Sequence, residues 1–169
     1  MELTQKVMLL GDIGVGKTSI ARRLVFNRFE SQYKATIGVD IYTHDIDIPD
    51  QNHTIKLAIW DIDGDFDDSV FNHIYTKGAS SALVIGDASR PHTQTSMQRL
   101  AEGFSERLPG RPIAFALNKM DLAPEDYKMN LPEAFLKPQM PFMLTSAKTG
   151  ENINSIFFYL AETTFLRNL

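Results

Sequence analysis

Cysteine is absent from this chain. No disulfide can form in it and no thiol is present to take a lipid, so a lipid anchor is not expected. The absence suits a reducing compartment, and the cytoplasm is the expected one. No apolar run approaches the roughly 20 residues that cross a bilayer as a helix. The opening MELTQKVMLL lacks the basic-then-apolar order of a secretory leader. Positive charge is also in short supply: 17 Lys and Arg stand against 21 Asp and Glu, for a net charge of −4. A nucleic-acid partner, which needs a basic face, is therefore not expected. No Pro/Gly/Ser-rich linker, repeat or low-complexity segment divides the 169 residues. One domain spanning 1–169, with one core and a monomeric state, is the expectation.

What is present is an ordinary globular mixture, 43% hydrophobic and 22% charged. Lys6–Leu10 reads as a short apolar strand entering a Gly-rich turn. From Lys17 to about Phe29, Ile20, Ala21, Leu24 and Val25 recur at helical spacing. Val39–Ile48 alternates as a strand, Ile55–Trp60 is its hairpin partner, and Pro49-Asp50-Gln51-Asn52 forms the turn. Ala82–Ile85 and Ile113–Leu117 are short continuous apolar runs, as strands buried on both faces are. Gln94–Leu108 and Ile153–Leu166 have helical periodicity, and Met140–Leu144 is a further strand. Alternation of strands and helices predicts an α/β fold: a mostly parallel six-stranded sheet with one antiparallel strand and helices on both faces. Ligands of such sheets sit at the carboxyl ends of strands.

Gly11-Asp12-Ile13-Gly14-Val15-Gly16-Lys17-Thr18 matches G-x-x-x-x-G-K-[ST] between a predicted strand and a predicted helix. In this context the glycines let successive N–H groups turn inward toward phosphate oxygens, and the helix N-terminus adds a positive dipole end. Lys17 reaches the β- and γ-phosphates, and Thr18 offers its hydroxyl to Mg²⁺. Asp12, Ile13, Gly14, Val15, Gly16, Lys17, Thr18 and Ser19 are thus the expected phosphate-binding residues. A plain Gly-rich connector would match the pattern in roughly one chain of this length in a hundred, so a second motif has to decide.

That motif is Asn118-Lys119-Met120-Asp121, directly after the apolar run Ile113–Leu117. The Asp121 carboxylate can accept from both N1–H and the 2-amino group of guanine, and adenine lacks that donor pair. Asn118 can tie loops together, and the stem of Lys119 can lie over the base. Ser146-Ala147-Lys148 follows the last predicted strand, where the Ala147 N–H could reach guanine O6. GDP or GTP with Mg²⁺ is the ligand these motifs call for in combination.

Together the motifs resemble those of the Ras superfamily of small GTPases, and most closely its Rab branch, from Lys6 to about Phe165. GDIGVGKTSIARRLVFNRF is similar to a Rab phosphate loop and first helix, YKATIGVD to a Rab first switch, and IKLAIWD to the strand before the second. GASSALVIGDAS is similar to the Rab segment before the third helix. The resemblance implies a Ras-like G domain of the P-loop NTPase fold, with switches at about 31–40 and 61–76. It implies that Phe29 packs on the guanine edge and that Thr36 gives its hydroxyl to Mg²⁺ and its N–H to the γ-phosphate. It implies that Asp61 binds Mg²⁺ through water, that the Gly64 N–H meets the γ-phosphate, and that Tyr33 folds over the phosphates. Lys17, Thr36, Gly64 and Asp65 would carry the hydrolysis. The GTP form would bind protein effectors, with exchange and activating proteins as further partners. By composition alone, Phe29 is equally a core residue at a helix end, Thr36 an ordinary strand residue, and Trp60 a core-facing strand residue; the resemblance to the Rab pattern implies that Trp60 also lines an effector surface.

Two departures bear on catalysis. The Rab pattern D-T-A-G-Q-E is replaced by Asp61-Ile62-Asp63-Gly64-Asp65-Phe66, so Asp65 stands where a water-orienting Gln belongs. Ile13 stands where the family carries a small residue, and it crowds the transferring phosphoryl group. Both predict slow hydrolysis, with a GTP-binding module of little or no activity as the alternative. A calcium loop at Asp61, Asp63 and Asp65 is disfavoured, because Phe66 and Asn72 replace the required Gly and Glu. A P-loop kinase is disfavoured by Asn118–Asp121 and by the lack of an Arg-rich lid.

Overall fold

The computed structural model describes residues 3–62, 69–127 and 141–168. Strand β1 (Leu3–Leu10) runs into the phosphate loop and helix α1 (Lys17–Phe26). The helix ends three residues before Phe29 because Asn27 turns left-handed at φ 51° and donates its N–H to Arg23 O at 3.0 Å. Asn tolerates that conformation better than the branched residues around it. Residues 28–38 are consequently irregular and pass along the edge of the site.

Strands β2 (Val39–Ile48) and β3 (His53–Ile62) form the expected antiparallel hairpin, closing from Ile48↔His53 to Val39↔Ile62. The turn is one 3₁₀ turn over Pro49–Gln51, with Asn52 left-handed at φ 50°. Helix α2 (Ser69–Thr76), strand β4 (Ser81–Asp87), helix α3 (His92–Arg107), strand β5 (Ile113–Asn118), strand β6 (Phe142–Leu144) and helix α4 (Ile153–Leu166) complete the order. Met140, expected in the last strand, lies outside the described residues. Helix α2 has no counterpart in the sequence reading. It is two turns long and follows an acidic run, too short a stretch for periodicity to stand out.

The sheet order is β2-β3-β1-β4-β5-β6, with β2 antiparallel and the other pairings parallel. Alternate residues of each central strand point to opposite faces. Val7, Leu9, Leu57, Ile59, Leu83 and Ile85 pack with Ile20 and Leu24 of α1 and Ile156, Phe157 and Leu160 of α4. Met8, Leu10, Val84 and Phe115 pack on the other face with Met97, Ala101 and Phe104 of α3. The predicted mixed sheet, covered on both faces, is what forms. Strand β1 lies between β3 and β4, so the chain leaves its carboxyl end at the point where strand order reverses. A crevice opens there in sheets of this kind.

Candidate functional site

The loop from Gly11 to Thr18 rises from that carboxyl end. Lys17 is buried, and its Nζ donates back to Gly11 O at 2.7 Å and Asp12 O at 3.1 Å. The ammonium therefore lies across the loop it springs from. Gly16 is left-handed at φ 103°, and a Cβ there would stand 2.3 Å from Asn118 Nδ2. Only glycine both takes this turn and leaves room for Asn118. A Cβ on Gly11 would likewise meet Ile85 O at 2.5 Å.

Three residues expected at a metal converge. Thr18 Oγ1 lies 2.8 Å from Thr36 Oγ1 and donates to Asp61 Oδ2 at 2.5 Å. Asp61 is fully buried, and its Oδ1 has no hydrogen-bond partner among the described residues. Burial raises its carboxyl above the usual range, while the Thr18 hydrogen bond and the Lys17 charge pull it back. An unmatched buried carboxylate oxygen beside two hydroxyls is an all-oxygen donor set suited to a water-liganded hard cation. Among the described residues no cluster of three or more His, Cys, Asp or Glu could hold a metal alone. A metal here would need oxygens from its ligand as well.

At the other end Asn118 joins three segments. Its Nδ2 donates to Val15 O at 3.0 Å, and its Oδ1 accepts from Ala147 N at 3.1 Å and Thr145 Oγ1 at 3.3 Å. The Ala147 N–H is thus already engaged, so a guanine O6 would have to share it. Ser146 Oγ donates to Asp121 Oδ1 at 2.6 Å and accepts from Thr149 N, which orients the Asp121 carboxylate. Arg23 of α1 holds the same loop by donating to Ala147 O at 2.8 Å and Lys148 O at 2.6 Å. Lys119 Nζ spans to Gly14 O at 2.6 Å and pairs with Asp87 Oδ2 at 2.7 Å.

A cavity of about 470 Å³ connects the two ends, within the range of small-molecule sites. Ile13, Gly14, Gly16, Lys17, Thr18, Ser19, Phe29, Tyr33, Thr36, Asn118, Lys119, Asp121, Ala147 and Lys148 line it, as expected from the sequence. Asp12, Val15 and Ser146 do not: Val15 is core, the Asp12 carbonyl accepts from Lys17, and the Ser146 hydroxyl donates to Asp121. Gly64 and Asp65 lie outside the described residues, as does Asp63. The sequence reading missed Asp87 and Arg90. Asp87 stands at the carboxyl end of β4, a position that could have pointed to it, but no motif spacing marks either residue.

Fold and cavity define an α/β domain with its site at the carboxyl ends of the strands, lined by the Gly-rich loop after β1. Residues 6–165 match the family model described as Ras family. The chain is 33% identical over 164 residues to the GTP-binding protein ypt5 of Schizosaccharomyces pombe, covering 95% of this chain and 77% of that one. It is 31% identical to the Ras-related protein Rab5 of Nicotiana tabacum over 164 residues, 95% and 80% of the two chains. It is 32% identical to the GTP-binding nuclear protein GSP1 of Encephalitozoon cuniculi over 164 residues, 95% and 76%. The chain belongs to the Ras family, as a Rab-like small GTPase.

Proposed function

We propose that this chain is a guanine-nucleotide switch that holds GDP or GTP in the cavity between Lys17 and Asp121. The observation that carries this reading is the bridging role of Asn118, which binds Val15 of the phosphate loop and Ala147 of the base loop at once. That bridge supports reading the two loops as the phosphate and base ends of one site. In this reading Asp121 selects guanine, the stem of Lys119 lies over the base with Phe29 at its edge, and Lys17 with the loop N–H groups binds the phosphates. Mg²⁺ fits at Thr18, Thr36 and, through water, Asp61, where it would neutralise charge on the β- and γ-phosphates. Tyr33 and Thr36 lie on the irregular segment 28–38, which a γ-phosphate can order. Ile37 and Ile41, 91% and 53% exposed, then form part of a surface for protein effectors. Exchange and activating proteins would act on the same segment.

Hydrolysis is proposed to be slow. Ile13, 49% exposed, lies on the cavity wall where an activating group would have to enter. That observation also favours a second reading, a GTP-binding module of little or no hydrolysis. Acid extraction of the purified protein and chromatography of the released nucleotide tests binding: GDP or GTP near one per chain is expected, and adenine nucleotide would refute it. Counting phosphate released from bound GTP separates the two readings.

A further inference from the structure

Asp87 is the hub of a clamp on the phosphate loop. It ends β4 fully buried, and two cations reach its Oδ2: Lys119 Nζ at 2.7 Å and Arg90 Nε at 2.9 Å. Its Oδ1 accepts from Ser89 N at 2.9 Å and Ser89 Oγ at 2.6 Å. Each cation then continues to the phosphate loop. Lys119 donates to Gly14 O at 2.6 Å, and Arg90 Nη2 donates to Ile13 O at 2.9 Å. Two successive carbonyls are therefore held from outside by one buried carboxylate acting through two side chains.

The base of the Arg90 arm is rigid. Arg90 N donates to Asp87 O at 3.0 Å in a tight turn. Thr93 Oγ1 donates to Arg90 O at 2.8 Å and accepts from Asp87 N at 2.9 Å. Pro91 directly precedes α3. At this position the guanidinium reaches Asp87 through Nε and Ile13 O through Nη2, two acceptors in one plane, whereas a lysine in its place would have to serve both from a single nitrogen, as Lys119 does from its own position.

The consequence lies in the peptide plane. In a trans peptide the C=O of one residue and the N–H of the next point in opposite directions, and no cis bond occurs among the described residues. Holding Ile13 O toward Arg90 turns the Gly14 N–H the other way, and Gly14 lines the cavity. Gly14 is left-handed at φ 75°, a conformation glycine readily leaves. Lys119 holds the carbonyl of Gly14, the far side of that residue, whereas the Arg90 arm acts on the Ile13–Gly14 peptide that carries the N–H.

We infer that Arg90 is a positioning residue for the nucleotide: with Asp87 it fixes the Ile13–Gly14 peptide so that the Gly14 N–H faces a phosphate. It thereby sets how long the nucleotide stays bound. This rests on the nucleotide reading above. The test measures release of fluorescent GDP and the ³¹P resonances of bound GDP in the wild type, Arg90→Ala and Arg90→Lys, with thermal melts as a folding control. Loss of one charge-assisted contact is expected to speed release about tenfold in Arg90→Ala. A smaller gain is expected in Arg90→Lys, and the phosphate resonances should move in both. A wild type that holds no GDP refutes the nucleotide reading, and the clamp with it. A wild type that holds GDP while Arg90→Ala releases it within twofold of the same rate refutes the clamp alone. Faster release with unmoved phosphorus resonances also overturns it, since the arm would then stabilise the loop without aiming its N–H. Full wild-type behaviour in Arg90→Lys would overturn the role of the fork.

Discussion

The hydroxyl of Thr36, on a segment with no regular structure, lies 2.8 Å from the hydroxyl of Thr18 in the first turn of α1. Nothing in local propensity brings these residues together. The same Thr18 hydroxyl donates to the Asp61 carboxylate, so three segments distant in sequence meet at it. Thr18→Asn replaces the hydroxyl with a bulkier amide and disturbs this donor set. The affinity for GTP should fall about tenfold more than that for GDP, about 1.4 kcal/mol, because the triphosphate carries more charge for a cation to neutralise. Parallel titrations with the two nucleotides in Mg²⁺ check this, and an unchanged ratio removes Thr18 from the metal site.

Asp121→Asn tests base selection with little risk to the fold. The Ser146 hydroxyl donates to Asp121 Oδ1, and an Asn amide oxygen can accept that bond equally well. The change instead removes the double acceptor facing N1–H and the 2-amino group. Guanine nucleotide affinity should drop by about two orders of magnitude, the worth of two hydrogen bonds to a charged group. Xanthine nucleotide, with a carbonyl at C2, should gain. Competition titrations read both, and a variant that still prefers GTP would contradict the pairing.

Much of this site was legible because its parts are contiguous in sequence. Gly11–Thr18 and Asn118–Asp121 are each marked within a few residues, and each follows an apolar run that the sheet makes into a strand and reaches the same cavity. The hairpin bounds Val39–Ile48 agree with the structure because alternation and turn residues point to the same place. The clamp was not legible: Asp87 and Arg90 meet Ile13 and Lys119 only after three crossovers stack β1, β4 and β5 side by side. Helix α1 also stops at Phe26, not Phe29, since an Asn in the left-handed region outweighs apolar spacing that nominally continues. The roles expected of Gly64 and Asp65 rest on the resemblance and lie outside the described residues.

Asp87 should give the protein an acid-sensitive component of stability. Burial pushes its carboxyl up, but hydrogen bonds from Lys119, Ser89 and Arg90 outweigh this and hold it below the ordinary carboxylate range. A folded value depressed below the unfolded one means that the unfolded chain binds the proton first as pH falls. The contribution is therefore full above about pH 4, the unfolded carboxylate value, and disappears as pH falls through the lower folded value. At pH 7 Asp87→Asn should cost less than the roughly 3–5 kcal/mol of breaking a fully buried pair, because Arg90 and Lys119 are each about a third exposed and partly screened by water. Denaturant titrations of both proteins from pH 7 to pH 3 check this. The gap between them should begin to narrow near pH 4 and go on closing as pH falls through the lower folded value, and a gap that widens on acidification would reverse the sign assigned to Asp87.

Ile13 and Asp65 together set the expected hydrolysis rate. An attacking water needs a donor and an acceptor to hold it in line with the γ-phosphate. A Gln amide supplies both, whereas ionised Asp is acceptor-only and adds like charge. Asp65→Gln should therefore raise the single-turnover rate, and a tenfold gain would correspond to about 1.4 kcal/mol of transition-state stabilisation. Ile13 can mask that repair, because its half-exposed side chain stands on the wall of the cavity next to Gly14. Its carbonyl is what Arg90 holds, so removing the side chain leaves that contact in place. Ile13→Gly combined with Asp65→Gln should therefore exceed either single change. The rival is an Asp65 that already serves as a base, which gives fast wild-type hydrolysis and a loss of rate in Asp65→Gln. Phosphate release from preloaded GTP in all four proteins decides, and a wild type faster than the double variant would refute the proposal of slow hydrolysis.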